Sequence, residues 1–128
     1  MPSWNEVRDR LRTTYKLEDD EGELLSIVWT LADDRTQKVV IKHFKLHDRD
    51  MVEIKSAFAK GKSPDATVLL AKSAEMPLAT IALAGDVYFV VYNAPLEHID
   101  NDDFTFFMTS VATAADALEK EFGTGDTY

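Results

Sequence analysis

The tightest constraint on this chain is a pair of strands that are apolar on both faces. Leu78 to Ala84 and Val87 to Asn93 are joined by the short turn Ala84-Gly85-Asp86. The first strand places Leu78, Thr80 and Ala82 on one face and Ala79, Ile81 and Leu83 on the other. In the second, Val87, Phe89 and Val91 oppose Tyr88, Val90 and Tyr92. A hairpin with no polar face is expected to be covered on both sides. One cover follows directly in the sequence. After the polar break Glu97–Asp103, in which Asp100 and Asp103 imitate a capping box, Phe104, Phe107, Met108, Val111, Ala115, Leu118 and Phe122 recur at helical spacing. Gly123 stands where helices commonly turn left-handed and stop. The other face calls for a second helix or a second molecule. Tyr88 and Tyr92 suit an interface because each carries an apolar body and a polar tip.

The preceding residues supply the rest of a sheet. Ser3-Trp4-Asn5-Glu6 is a capping box that opens a helix with Trp4, Val7, Leu11 and Tyr15 as its apolar stripe. The acidic run Glu18–Glu21 with Gly22 reads as the loop that ends it. Leu24 to Leu31 is a strand, with Leu25, Ile27, Trp29 and Leu31 on one face. Ala32-Asp33-Asp34-Arg35 turns the chain, and Thr36 to Leu46 returns. Met51 to Ala59 alternates again and reads as a third strand. Ser63 as N-cap with Pro64 at the first helical position announces a second helix, which Pro77 terminates. The expected fold is α+β: an antiparallel five-stranded sheet with helices, in the order helix, three strands, helix, two strands, helix. A single domain is expected over 1–123, followed by a flexible tail over 124–128.

Charge and composition narrow the function classes. The net charge is −9, and its excess lies wholly in the second half: residues 63–128 hold 2 basic against 11 acidic side chains, while residues 1–62 balance 12 against 12. That field disfavours nucleic acid and favours a basic partner. The sequence has no cysteine, so disulfides, thiol catalysis and thiolate zinc are excluded. No apolar run approaches the ~20 residues of a membrane helix, and the amino terminus does not read as a signal peptide. A soluble cytoplasmic protein is expected, with no membrane and no nucleic-acid partner.

Chemistry-bearing residues are sparse. The five glycines are scattered at turns and form no phosphate loop. His43, His47, Asp48 and Asp50 form the one tempting cluster. On a helix the two histidines would stack one turn apart. On a strand they lie ~13 Å apart, too far to share an ion, at ~3.3 Å per residue. The strand reading leaves Asp48 and Asp50 as turn formers. No catalytic residue, metal ligand or cofactor is therefore assigned. These four residues mark the alternative, a small-molecule-binding or enzymatic α+β domain.

The element order carries a resemblance. Together with Ala82-Leu83-Ala84-Gly85-Asp86, Ala94-Pro95-Leu96 and the helix end Ala114-Ala115-Asp116-Ala117-Leu118-Glu119, it resembles the type III secretion chaperone and YbjN-like superfamily, in particular its actinobacterial-type single-domain members. The resemblance implies an acidic homodimer that holds an extended segment of an unidentified client protein without ATP. It also implies dimerisation through the second helix and the late strands, with Leu69, Tyr88, Val90 and Tyr92 as candidate interface residues. The client is then expected over the first helix and early strands. Leu25 and Ile27 belong to the apolar row there, and Trp29 and Phe44 are the candidate anchors, since large aromatics dominate such contacts.

Overall fold

The architecture was obtained as a computed structural model, which describes residues 3–61 and 64–123. The sheet has six antiparallel strands: β1 (Leu17–Asp20), β2 (Leu24–Thr30), β3 (Thr36–Leu46), β4 (Arg49–Lys60), β5 (Thr80–Ala84) and β6 (Val87–Pro95). They lie in the order β1-β2-β3-β4-β6-β5, so the hairpin β5–β6 joins the sheet through β6 and leaves β5 at the edge. Three helices complete the chain: α1 (Trp4–Thr14), α2 (Ala66–Glu75) and α3 (Asn101–Phe122). The fold is the expected α+β class with one strand more than the sequence suggested.

That extra strand is β1, within the acidic run read above as a loop. Asp and Glu are poor strand formers, but a sheet edge lets them reach solvent and cations. Arg12 Nε lies 2.6 Å from Asp20, Lys38 Nζ lies 3.0 Å from Asp19, and the Ser26 hydroxyl donates to Asp19 over 2.7 Å. Tertiary partners override local propensity here.

The core forms between one face of the sheet and the helices. Leu25 and Ile27 of β2, Val39 and Ile41 of β3, Val52, Ile54 and Phe58 of β4, and Val90 of β6 are buried with Trp4, Val7 and Leu11 of α1. α3 contributes Phe104, Met108, Val111, Ala112, Ala115 and Leu118 and crosses β4, β3 and β6. α2 packs on the same side, beside the end of α3, where Lys72 Nζ meets Glu121 at 3.1 Å. Its buried side chain is Leu69.

Several local devices set these elements. Ser3 caps α1 by accepting from the Glu6 amide, and Asp100 caps α3 by accepting from the Asp103 amide. α2 begins two residues later than the sequence suggested. Asp65 is its N-cap, accepting from Thr67, while Ser63 lies outside the described residues, as does the 124–128 tail. Gly123 is not left-handed, having φ −89°. It is needed for close approach instead, since a Cβ there would sit 2.7 Å from the Glu119 carbonyl oxygen. At the β5–β6 turn Gly85 does adopt φ +63°, as the first central residue of a two-residue hairpin requires. The far end of α3 is tied to the β2–β3 turn by Arg35, whose Nε lies 2.7 Å from Asp116 and whose Nη2 lies 3.1 Å from Glu119.

Candidate protein-interaction surface

The pleat that buries one face of the sheet exposes the other, and the described helices all lie on the buried side. In register across the strands, the open face presents Val28 on β2, Lys38, Val40 and Lys42 on β3, Glu53, Lys55 and Ala57 on β4, and Phe89 and Val91 on β6. Val28 is exposed, while Val40, Ala57, Phe89 and Val91 are half-buried. The hairpin's second face, expected to be covered, thus has no cover within the described residues.

Lysines thread this apolar surface. Lys38 and Lys42 flank Val40 along β3, and Lys55 stands opposite Val40 on β4. The Lys55 ammonium lies 4.9 Å from the centroid of Phe89, its stem covering apolar surface while its charge stays wet. Glu53 lies 3.4 Å from Lys55. Lys42 has no carboxylate within ion-pair distance among the described residues. The Ser26 hydroxyl and then Lys38 hold the Asp19 carboxyl below its ordinary value, and the Asp19 hydrogen bond raises Lys38 in turn.

The client candidates divide between environments. Leu25 and Ile27 are core, 0% and 3% exposed, and are withdrawn as client contacts. Their strand face is the one that the helices cover. Trp29, half-buried, shares that inner face and packs on Tyr15, with ring centroids 5.5 Å apart. Phe44, also half-buried, belongs to the open face, opposite Met51. Opposite faces of one sheet cannot make a single docking row, so the paired-anchor assignment does not hold.

The dimer candidates are corrected in a similar way. Leu69, Tyr88 and Val90 are buried within the protomer: Leu69 is the side chain that α2 turns inward, and Tyr88 and Val90 lie on the helix-covered face of β6. Tyr92 is half-buried against Phe107, with centroids 4.5 Å apart. The exposed apolar side chains of this end are others: Val68 and Leu70 of α2, Leu83 of β5 and Phe106 of α3. Phe106 borders an apolar groove of about 490 Å³ between α3 and the Met76–Ala79 segment. Nothing in a helical pattern told Leu70 from Leu69, since which side of α2 meets the sheet depends on its docking. The free edge of β5 is partly closed, as Ile81 N–H donates to Ser73 Oγ of α2 at 3.0 Å.

The histidine cluster does not assemble as a site. His43 stacks on Trp4 with centroids 5.2 Å apart, and its ring nitrogens meet Glu23 on one side and Asp50 Oδ1, at 2.7 Å, on the other. The two carboxylates thus engage opposite edges of the ring rather than one shared point. The His43 bond holds Asp50 below its ordinary value. Asp50 is therefore a strand residue and not a turn former. The turn is His47-Asp48, both left-handed with φ 49° and 65°. Among the described residues no group of three or more His, Asp or Glu side chains is arranged to hold a metal ion.

Comparison with known proteins finds a neighbour in fold. No protein-family model matches the chain, and no curated protein sequence matches it significantly. A chain of the solved HopA1-SchA chaperone–effector complex superposes with a TM-score of 0.64 at 13% identity, covering 89% of this chain and 88% of that one. What the two chains share is the fold.

Proposed function

We propose that this protein is a non-enzymatic, ATP-independent chaperone or regulator that binds a segment of another polypeptide as a homodimer. The observation that carries the reading is the uncovered face of the sheet, where Val28, Val40, Phe44, Phe89 and Val91 meet solvent. Apolar side chains gathered on one uncovered face mark a site of association. The fold neighbour is a chain of a complex named for a chaperone and its effector, which supports a protein client.

The edges of the sheet favour binding on the face. β1 is short, irregularly paired and acidic, features that discourage strand addition. On β5 the Ile81 amide is already engaged by Ser73. The second copy docks elsewhere in this reading, on Val68 and Leu70 of α2 with Leu83 of β5, outward-facing side chains that need no rearrangement of the core.

Two measurements test it. Sedimentation equilibrium at micromolar concentration should give twice 14.4 kDa, and Leu70→Asp should give a monomer, because a charge buried in an apolar contact is strongly destabilising. A wild-type monomer at high concentration refutes the dimer. A photo-crosslinking residue at position 89, introduced in the source cell, should capture a polypeptide that the same residue at position 5 of α1 does not. Equal capture at both positions places the client off the sheet face.

A further inference from the structure

We infer that the open face of the sheet selects an acidic segment, in which carboxylates are interleaved with apolar side chains. This rests on the protein-binding reading above and adds the chemistry of the partner. At first sight a chain of net charge −9 should reject such a partner. The fold, however, separates the charges across the sheet. Asp100, Asp102, Asp103, Asp116, Glu119 and Glu121 belong to α3 and its cap, and α3 covers the opposite face. β5 and β6, between their ends, carry no charged residue. The open face of β3 and β4 therefore holds Lys38, Lys42 and Lys55 against the single Glu53; Asp19 and Glu18 of β1 lie 3.0 and 3.9 Å from Lys38, so Lys42 is the lysine of the three with no ion-pair partner among the described residues.

The arrangement is local enough to recognise a pattern. Lys38 and Lys42 flank Val40 along β3 and Lys55 stands opposite it on β4, with Val91 on the far side of Lys55 and the apolar pair Ala57–Phe89 one step along the strands. Five strands from β2 to β5 span about 19 Å at ~4.8 Å per interval, the reach of roughly six extended residues. An occupant seated over Val40 and Phe89 brings its own neighbouring side chains to Lys42 and Lys55. Carboxylates there form charge-assisted hydrogen bonds partly screened from water. Lysines in the same places would face like charges at short range.

The test uses three dodecapeptides with the same apolar residues, interleaved with Asp/Glu, with Ser/Gln or with Lys/Arg, and read by fluorescence anisotropy on the full chain. The acidic peptide should bind at least tenfold more tightly than the neutral one, and the basic peptide more weakly than both. Raising salt from 50 to 500 mM should erase most of the difference. Lys42→Glu should lower affinity for the acidic peptide about tenfold and for the neutral peptide by a clearly smaller factor. Lys42 is exposed, so the variant should fold; Lys42→Gln serves as a milder second variant with a smaller loss in the same direction. Equal binding of acidic and neutral peptides overturns the charge inference while sparing the protein-binding reading. Tighter binding of the basic peptide, or an acidic peptide indifferent to both Lys42 variants, also overturns it. No binding by any of the three overturns it and removes the sheet face as a docking surface.

Discussion

Arg35→Ala isolates the contact that closes the structure around its core. The guanidinium reaches from the β2–β3 turn to Asp116 and Glu119, whose side chains are 8% and 0% exposed. Removing the cation leaves two carboxylates in a desolvated place with less compensation. Breaking a buried pair from one side costs about 3–5 kcal/mol. Lys120 Nζ remains 3.4 Å from Asp116, which puts the expected loss near the lower figure, about 3 kcal/mol. At roughly 2.1 cal/mol/K per residue, 128 residues unfold with an entropy of about 0.27 kcal/mol/K, so the melting temperature should fall by about 11 °C. Urea denaturation followed by far-UV circular dichroism should show the midpoint lowered by about 1.5 M, for a slope near 2 kcal/mol/M that does not change. The triple variant Arg35→Met, Asp116→Leu, Glu119→Leu should recover most of the loss, because apolar replacements of similar volume carry no desolvation penalty. A fall of less than about 3 °C for Arg35→Ala refutes the reasoning, since the two carboxylates would then not depend on Arg35 for their charge.

Acid sensitivity follows from the edge carboxylates. Arg12 holds Asp20 below its ordinary value, the Ser26 hydroxyl does the same for Asp19, and His43 for Asp50. Because each folded value is depressed, their stabilisation is present above the unfolded value of about 3.9 and is lost as pH falls through the folded values. Asp20→Asn should flatten the decline in urea midpoint below about pH 4, and an unchanged slope counts against the Arg12–Asp20 assignment. At the β3–β4 turn, Asp48→Val should destabilise by about 1–2 kcal/mol, the penalty of a side chain poorly suited to left-handed backbone, whereas Asp48→Gly should not lower the melting temperature. Equal effects of the two substitutions contradict the left-handed assignment.

Local chemistry alone determined most of the elements. Period-two alternation placed β3 and β4, because a strand with one face against a core must alternate, and runs of apolar and β-branched residues bounded by turns placed β2, β5 and β6. Ser3 and Asp100 located two helix starts through a side-chain hydrogen bond that depends only on neighbours three residues away. Tertiary structure decided the rest. It made a strand of Leu17–Asp20, because pairing with β2 brings Arg12, Ser26 and the distant Lys38 onto those acids, a juxtaposition that the local pattern does not reveal. It also assigned Leu69 to the core and Leu70 to solvent, and placed Trp29 and Phe44 on opposite sides of one sheet. The candidate binding surface is legible only there. An apolar residue has the same pattern in sequence whether a helix covers it or not, and whether its face is covered depends on where residues far along the chain come to rest.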